Sequence, residues 1–156
     1  MTISDISIKD KNSQISHLID ILSTKDRCNA FNSLQEKSKT DASVYPYWDI
    51  FTELLKSENA FERSIGIHLI AVNTKWDTQN KFDVDLYLKM CDDISLVVSR
   101  ACIQNLEKIL KNKNYDMQIC KRIKEKFNSL DVDLRPITHR NVLKKDMAAI
   151  LKLINN

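Results

Sequence analysis

The residues in this 156-residue chain whose side chains could carry chemistry are three histidines, four cysteines, a few acidic residues and a run of bases. A metal site needs His, Cys or carboxylate ligands grouped within a few residues or one helical turn. His17, His68 and His139 are far apart, and Cys28, Cys91, Cys102 and Cys120 follow one another at spacings of 63, 11 and 18. Neither set makes a ligand cluster, and the cysteines make no disulfide framework. Each cysteine has apolar neighbours at helical spacing, which reads as buried free thiol in a reducing cytoplasm. The chain also lacks a His-Glu-x-x-His, a Gly-x-Ser-x-Gly elbow and a Gly-rich phosphate loop. We therefore expect no metal and no cofactor, and lean against an enzyme.

Two short constellations stay open. Asp92 and Asp93 are adjacent carboxylates, which suit paired acid–base work but are explained with less by a helix cap. Trp76 and Asp77 stand at a helix exit in a polar connector. There an indole could stack on a ligand beside an acid, or Trp76 could close the end of a hairpin while Asp77 caps a turn. The most conspicuous surface feature is basic: Lys121, Arg122, Lys124 and Lys126, joined by Arg140, Lys144 and Lys145. Residues 101–156 hold 12 Lys and Arg against 6 Asp and Glu, whereas residues 1–100 hold 12 against 15. A solvated face accounts for this; so does an edge that attracts polyanions. Only Tyr115 and Phe127 interleave with these bases, too few aromatics for single-strand stacking.

The elements that must position these residues are helices. At an average usage of roughly 7%, a chain of this length would hold about eleven Gly; this one holds one Gly and two Pro. Hairpin-rich β folds and dinucleotide fingerprints are thereby excluded, because both need backbone that accepts positive φ or close approach. Apolar residues recur at i, i+3, i+4 and i+7 in Ile15, Leu18, Ile19 and Leu22, and again in Tyr47, Ile50, Phe51, Leu54 and Leu55 behind Pro46. Asn59 followed by Glu62 predicts a capping box opening a helix to about Asn73. Asp92 and Asp93 precede a long apolar pattern through Ile94, Val97, Val98, Ala101, Cys102, Leu106, Ile109 and Leu110, with Asn112 and Asn114 where a Gly would end it. Residues 1–11 read as a loosely held arm before a single domain over 12–156. The chain shows no signal sequence and no apolar run long enough to span a membrane, so a cytoplasmic protein is expected.

The helices pair, and the pairs repeat. Arg27, Arg63, Arg100 and Arg140 fall early in successive second helices at spacings of 36, 37 and 40, each followed three residues later by Ala30, Gly66, Ile103 or Leu143. Helix pairs at a period near 40 stack into superhelices. The expected architecture is all-α, a short right-handed α-solenoid of about four hairpins. The segments around Arg63 with Leu69 and Ile70, and Asp92–Asp93 with Val98, Arg100 and Leu106, resemble HEAT repeats. The run from Arg63 to Ala71 followed by Lys75, Trp76 and Asp77 resembles a group of small bacterial HEAT-like (ARM-type) proteins of about this length. The resemblance implies that Arg63 and Arg100 tie neighbouring repeats together. Gly66, inside an apolar helix where glycine costs roughly 1 kcal/mol against alanine, marks a close approach by a neighbour.

Two functions follow as expectations. The first is a non-enzymatic scaffold that binds a protein or peptide in a helical-repeat groove. The second is a DNA-binding HEAT-like protein related to alkylated-base DNA glycosylases, a family in which a basic concave surface holds the duplex and aromatic and acidic residues act on the lesion; this chain has the basic C-terminal third and the Trp76, Asp77 pair, with no catalytic position assigned. The candidate binding residues are accordingly Trp76, Asp77, Lys121, Arg122, Lys124, Arg140, Lys144 and Lys145.

Overall fold

Several helices of this chain begin where a side-chain oxygen takes an amide that has no intrahelical partner. In the computed structural model residues 3–156 are described, with side chains from residue 12 onward. The arm expected over residues 1–11 lies outside the described side chains. Every regular element among the described residues is helical: α1 (Ile3–Ile21), α2 (Arg27–Thr40), α3 (Trp48–Leu54), α4 (Ala60–Asn73), α5 (Val84–Leu88), α6 (Leu96–Gln104), α7 (Leu106–Asn112), α8 (Met117–Ser129) and α9 (Ile137–Ile154). Asn59 Oδ1 accepts from the Glu62 amide at 3.1 Å to open α4, Asp83 from Leu86 at 3.1 Å to open α5, and Asp116 from Gln118 and Ile119 to open α8. The Asn59 box is relayed: Ser57 Oγ donates to Glu62 and accepts from the Asn59 amide. No described helix is long and apolar enough to cross a membrane.

Two features of the pattern resolve differently in three dimensions. The long helix expected after Asp92–Asp93 is capped by Ser95 and breaks at Asn105 into α6 and α7. Neither Gly nor Pro causes the break; Asn105 turns its side-chain amide back to the Ala101 carbonyl at 2.8 Å, a local bond that competes with continuing the helix. Ile94 and Val97, assigned to the apolar stripe, are 89% and 65% exposed. They precede the turn at which α6 enters the core.

The second helix of each pair forms an inner row: α2 packs on α4, α4 on α6, and α6 on α9. The first helices cover it, with α1 on α2, α3 on α4, and α8 against both α5 and α9. One continuous apolar core runs between the rows from Ile15 to Ile150. Arginines join successive members of the inner row. Arg27 lies 3.9 Å from Glu62, Arg63 grips Asp93 with two bonds of 2.8 and 3.0 Å, and Arg100 grips Asp146 at 2.8 and 3.3 Å. Arg63 also donates to the carbonyls of Ser57 and Glu58, closing the α3–α4 turn.

Gly66 sits where α3 crosses α4. A Cβ at this position would lie 2.8 Å from the Phe51 carbonyl oxygen and 3.0 Å from Leu54 Cβ, so the absence of a side chain sets the distance between the two helices. Farther along the core, the Cys91 and Cys102 sulfurs lie 3.4 Å apart, both buried, and the Tyr87 hydroxyl donates to the Cys102 carbonyl at 2.7 Å. Burial pushes the Cys102 thiol up, with Cys91 adding to the shift, so Cys102 stays protonated in its apolar surroundings.

Candidate functional site

The Trp76–Asp77 constellation is consumed by the fold. The Trp76 indole N–H donates to the Ser38 carbonyl at 2.6 Å, fastening the connector after α4 to the end of α2. The Asp77 side chain has no exposed surface. It accepts from the Tyr45 hydroxyl at 2.6 Å, Lys113 Nζ at 2.8 Å and the amides of Lys81 and Phe82 at 2.8 and 3.0 Å. Burial alone would raise the Asp77 pKa; the bonds from Lys113, Tyr45 and the two amides outweigh it and hold the carboxyl below its usual value. Tyr45 is pushed up to about 12 by its own burial and by this carboxylate. An anion holding four donors out of solvent anchors three segments of chain and offers no lone pair to a substrate.

The basic residues of the C-terminal third point in several directions. Lys121 and Lys124 line an open groove of about 630 Å³ between α8 and α9, over Tyr115, Met117 and Leu153. On another side of α8, Arg122 reaches Glu125 at 3.2 Å and Asp85 at 3.8 Å, and Lys126 pairs with Asp92. On α9, Arg140 donates to the Arg135 carbonyl at 2.8 Å and Lys144 stands 3.6 Å from Asp133. Lys145 is exposed. Four of the seven expected bases are thus paired or bonded within the fold, while Lys121 and Lys124 share the groove between α8 and α9 and Lys145 is exposed on α9.

The inner row presents a different arrangement. A cleft of about 500 Å³ is lined by Gln35, His68, Gln104, Asn105, Glu107, Lys108 and Lys111, and a neighbouring cleft of about 290 Å³ by Ser64, His68, Val97, Arg100 and Gln104 among others. The two share His68 and Gln104. Helical spacing builds this face: Phe31 and Gln35 on α2, Ser64 and His68 on α4, and Arg100 and Gln104 on α6 are each i, i+4 pairs one above the other. The Phe31 and His68 rings lie 5.7 Å apart at 49°.

Electrostatics sharpen the picture. Burial lowers the His68 pKa and the charge of Lys108 lowers it further, so the ring is neutral at pH 7. Burial likewise lowers Lys108, helped by Lys39. Among the described residues Lys108 has no ion-pair or hydrogen-bond partner, whereas Lys39 is paired with Glu36 at 2.7 Å and Lys111 with Glu107 at 3.2 Å. Among the described residues no group of three His, Cys, Asp or Glu side chains is placed to hold a metal ion.

In the sequence His68 stands out only as a polar residue in an apolar helix, and nothing there marks Lys108. An unpaired lysine looks like any other in sequence. Comparison with known proteins found no family model, no curated protein and no solved structure that matches this chain.

Proposed function

We propose that the chain is a short, right-handed, HEAT-like α-solenoid of about four hairpins that works as a non-enzymatic scaffold, holding a protein or peptide segment on the inner face of α2, α4, α6 and α7. The doubled row of helices supports the solenoid reading, as do the three arginine–carboxylate links at intervals of one hairpin. One observation carries the functional reading: two clefts meet at His68 on the face where the second helices align, and their walls mix aromatic, amide and charged groups. Such a surface suits an extended segment, with pockets for side chains and amides for its backbone. The dispersal of the bases supports this reading over a duplex-binding one, since duplex affinity grows with the number of phosphates that are neutralised together.

A photo-reactive residue placed at Gln104, on this face, or at Asp49, exposed on α3, provides the test. In the native cells, position 104 is expected to give an adduct of one defined mass and position 49 none. The same adducts from both positions would overturn the assignment of the face.

A further inference from the structure

The His68 cleft contains hydrogen-bond donors and a cation but is short of negative charge. Asn105 fixes this. Its amide nitrogen donates 2.8 Å to the Ala101 carbonyl and stands 3.1 Å from His68 Nδ1, and an amide nitrogen can only donate. His68 Nδ1 is therefore the acceptor, and in the neutral ring the proton sits on Nε2. That Nε2–H has no partner among the described residues, and His68 is a lining residue of both clefts. Lys108, lining the same cleft, is half-buried and has no ion-pair or hydrogen-bond partner among the described residues. The neighbouring cations are already taken: Arg100 by Asp146, Lys39 by Glu36 and Lys111 by Glu107. What is missing is one anion able to accept from an imidazole N–H and an ammonium at once.

We infer that the cleft receives a single carboxylate side chain, so that the segment held by this scaffold presents an Asp or Glu with an apolar residue beside it. The inference rests on the scaffold reading above and names the partner's chemistry. A carboxylate has two acceptor oxygens, one for His68 Nε2–H and one for Lys108 Nζ, and bonds to a charged acceptor are the stronger kind. The apolar neighbour is called for by the adjoining cleft, where Leu96, Val97 and Ala101 lie along the wall that His68 shares, with Val97 65% exposed. A nucleic-acid backbone is a poorer match, because it repeats its charge along the strand while this face has one unpaired cation among the described residues.

Random short peptides displayed on phage, selected against the whole chain, give the test. Recovered sequences are expected to be enriched in Asp or Glu next to an apolar residue, to shift the His68 ring resonances on binding, and to lose about tenfold or more in affinity when the acid becomes its amide. Lys108→Gln should weaken the same peptides to a similar degree, and Gln104→Glu, an exposed change that puts a second carboxylate into the cleft, should weaken them independently. Peptides that shift His68 but show no acid enrichment and bind Lys108→Gln as tightly would overturn the inference and leave the scaffold reading standing. Selected peptides that leave His68 unperturbed would overturn both. A short DNA duplex that shifts His68 and weakens with Lys108→Gln, in competition with the peptides, would overturn the inference in favour of a phosphate ligand.

Discussion

Asp77 and the His68–Lys108 cleft are both polar clusters at the meeting of distant segments, and they are finished to different degrees. Around Asp77 every charge is met: four donors converge on a covered carboxylate, and the lysine that balances it comes from the far end of α7. Around His68 one donor and one cation are left over, and the cleft is open. A completed cluster holds a fold together, because breaking it strands buried charge; an incomplete one stabilises little but keeps valence for a ligand. The contrast separates the residues that look functional in sequence from those that are free to act.

The largest expected effect tests the closed cluster. Asp77→Ala removes the acceptor from Lys113, Tyr45 and two amides together. Loss of one partner of a buried pair costs about 3–5 kcal/mol, so the midpoint of chemical denaturation should fall steeply. A change below about 1 kcal/mol would mean that the cluster behaves as a surface pair and that the contrast is false.

The same contrast runs across α4 itself. Gly66 and His68 are two positions apart and so face different sides of the helix. Gly66→Leu drives a side chain into the Phe51 carbonyl and should cost about 1–3 kcal/mol or more, since backbone must move to make room. His68→Gln faces the cleft and is expected to be mild at pH 7. Equal losses at the two positions would remove the distinction between the covered and open sides.

A smaller effect appears with pH. The folded pKa of His68 lies below its unfolded value of about 6.5, so below that pH the unfolded chain takes up the proton first. Stability from this group is complete above about pH 6.5 and is lost as pH falls through the lowered folded value. His68→Gln should flatten the decline in stability on going from about pH 7 to pH 5. The lowered Asp77 pKa has the same sign but acts further down, below the usual carboxylate value near 3.9, so the two clusters are separable by pH. A wild-type slope unchanged by His68→Gln would show that His68 is not held neutral in the fold.

How much of this was legible in the sequence depends on the range of the interaction. The all-helical class follows from a single Gly and the 3.6-residue period, which are local. The close approach at Gly66 was legible because glycine is out of place in an apolar helix. The arginine period gave the positions of Arg63 and Arg100, though not that Arg100 reaches past two elements to Asp146. The break at Asn105 was hidden, because a side-chain amide bonding its own helix leaves no Gly or Pro as a marker. Ile94 and Val97 were misplaced for a related reason: periodicity shows which residues share a face and is silent on where along the helix that face becomes covered. Asp77 could be read as a turn cap from its neighbours, but its partner Lys113 is 36 residues away. The openness of the His68 cleft was the least legible feature, since a missing partner is a property of the whole fold.

The smallest expected effect is the most discriminating. Lys108 has its charged form disfavoured by burial and by Lys39, and among the described residues it has no anion to lose. Replacing it with Gln leaves no buried partner stranded, so stability should change by less than about 0.5 kcal/mol in either direction. The comparison with Asp77→Ala is then complete: one substitution damages the fold, while the other leaves it intact and removes only the unused charge. Urea denaturation of the two variants beside the wild type measures both. If Lys108→Gln were to destabilise the chain as Asp77→Ala does, Lys108 would have to be paired in solution. The cleft at His68 would then be another closed joint, and the distinction between the two clusters would fall with it.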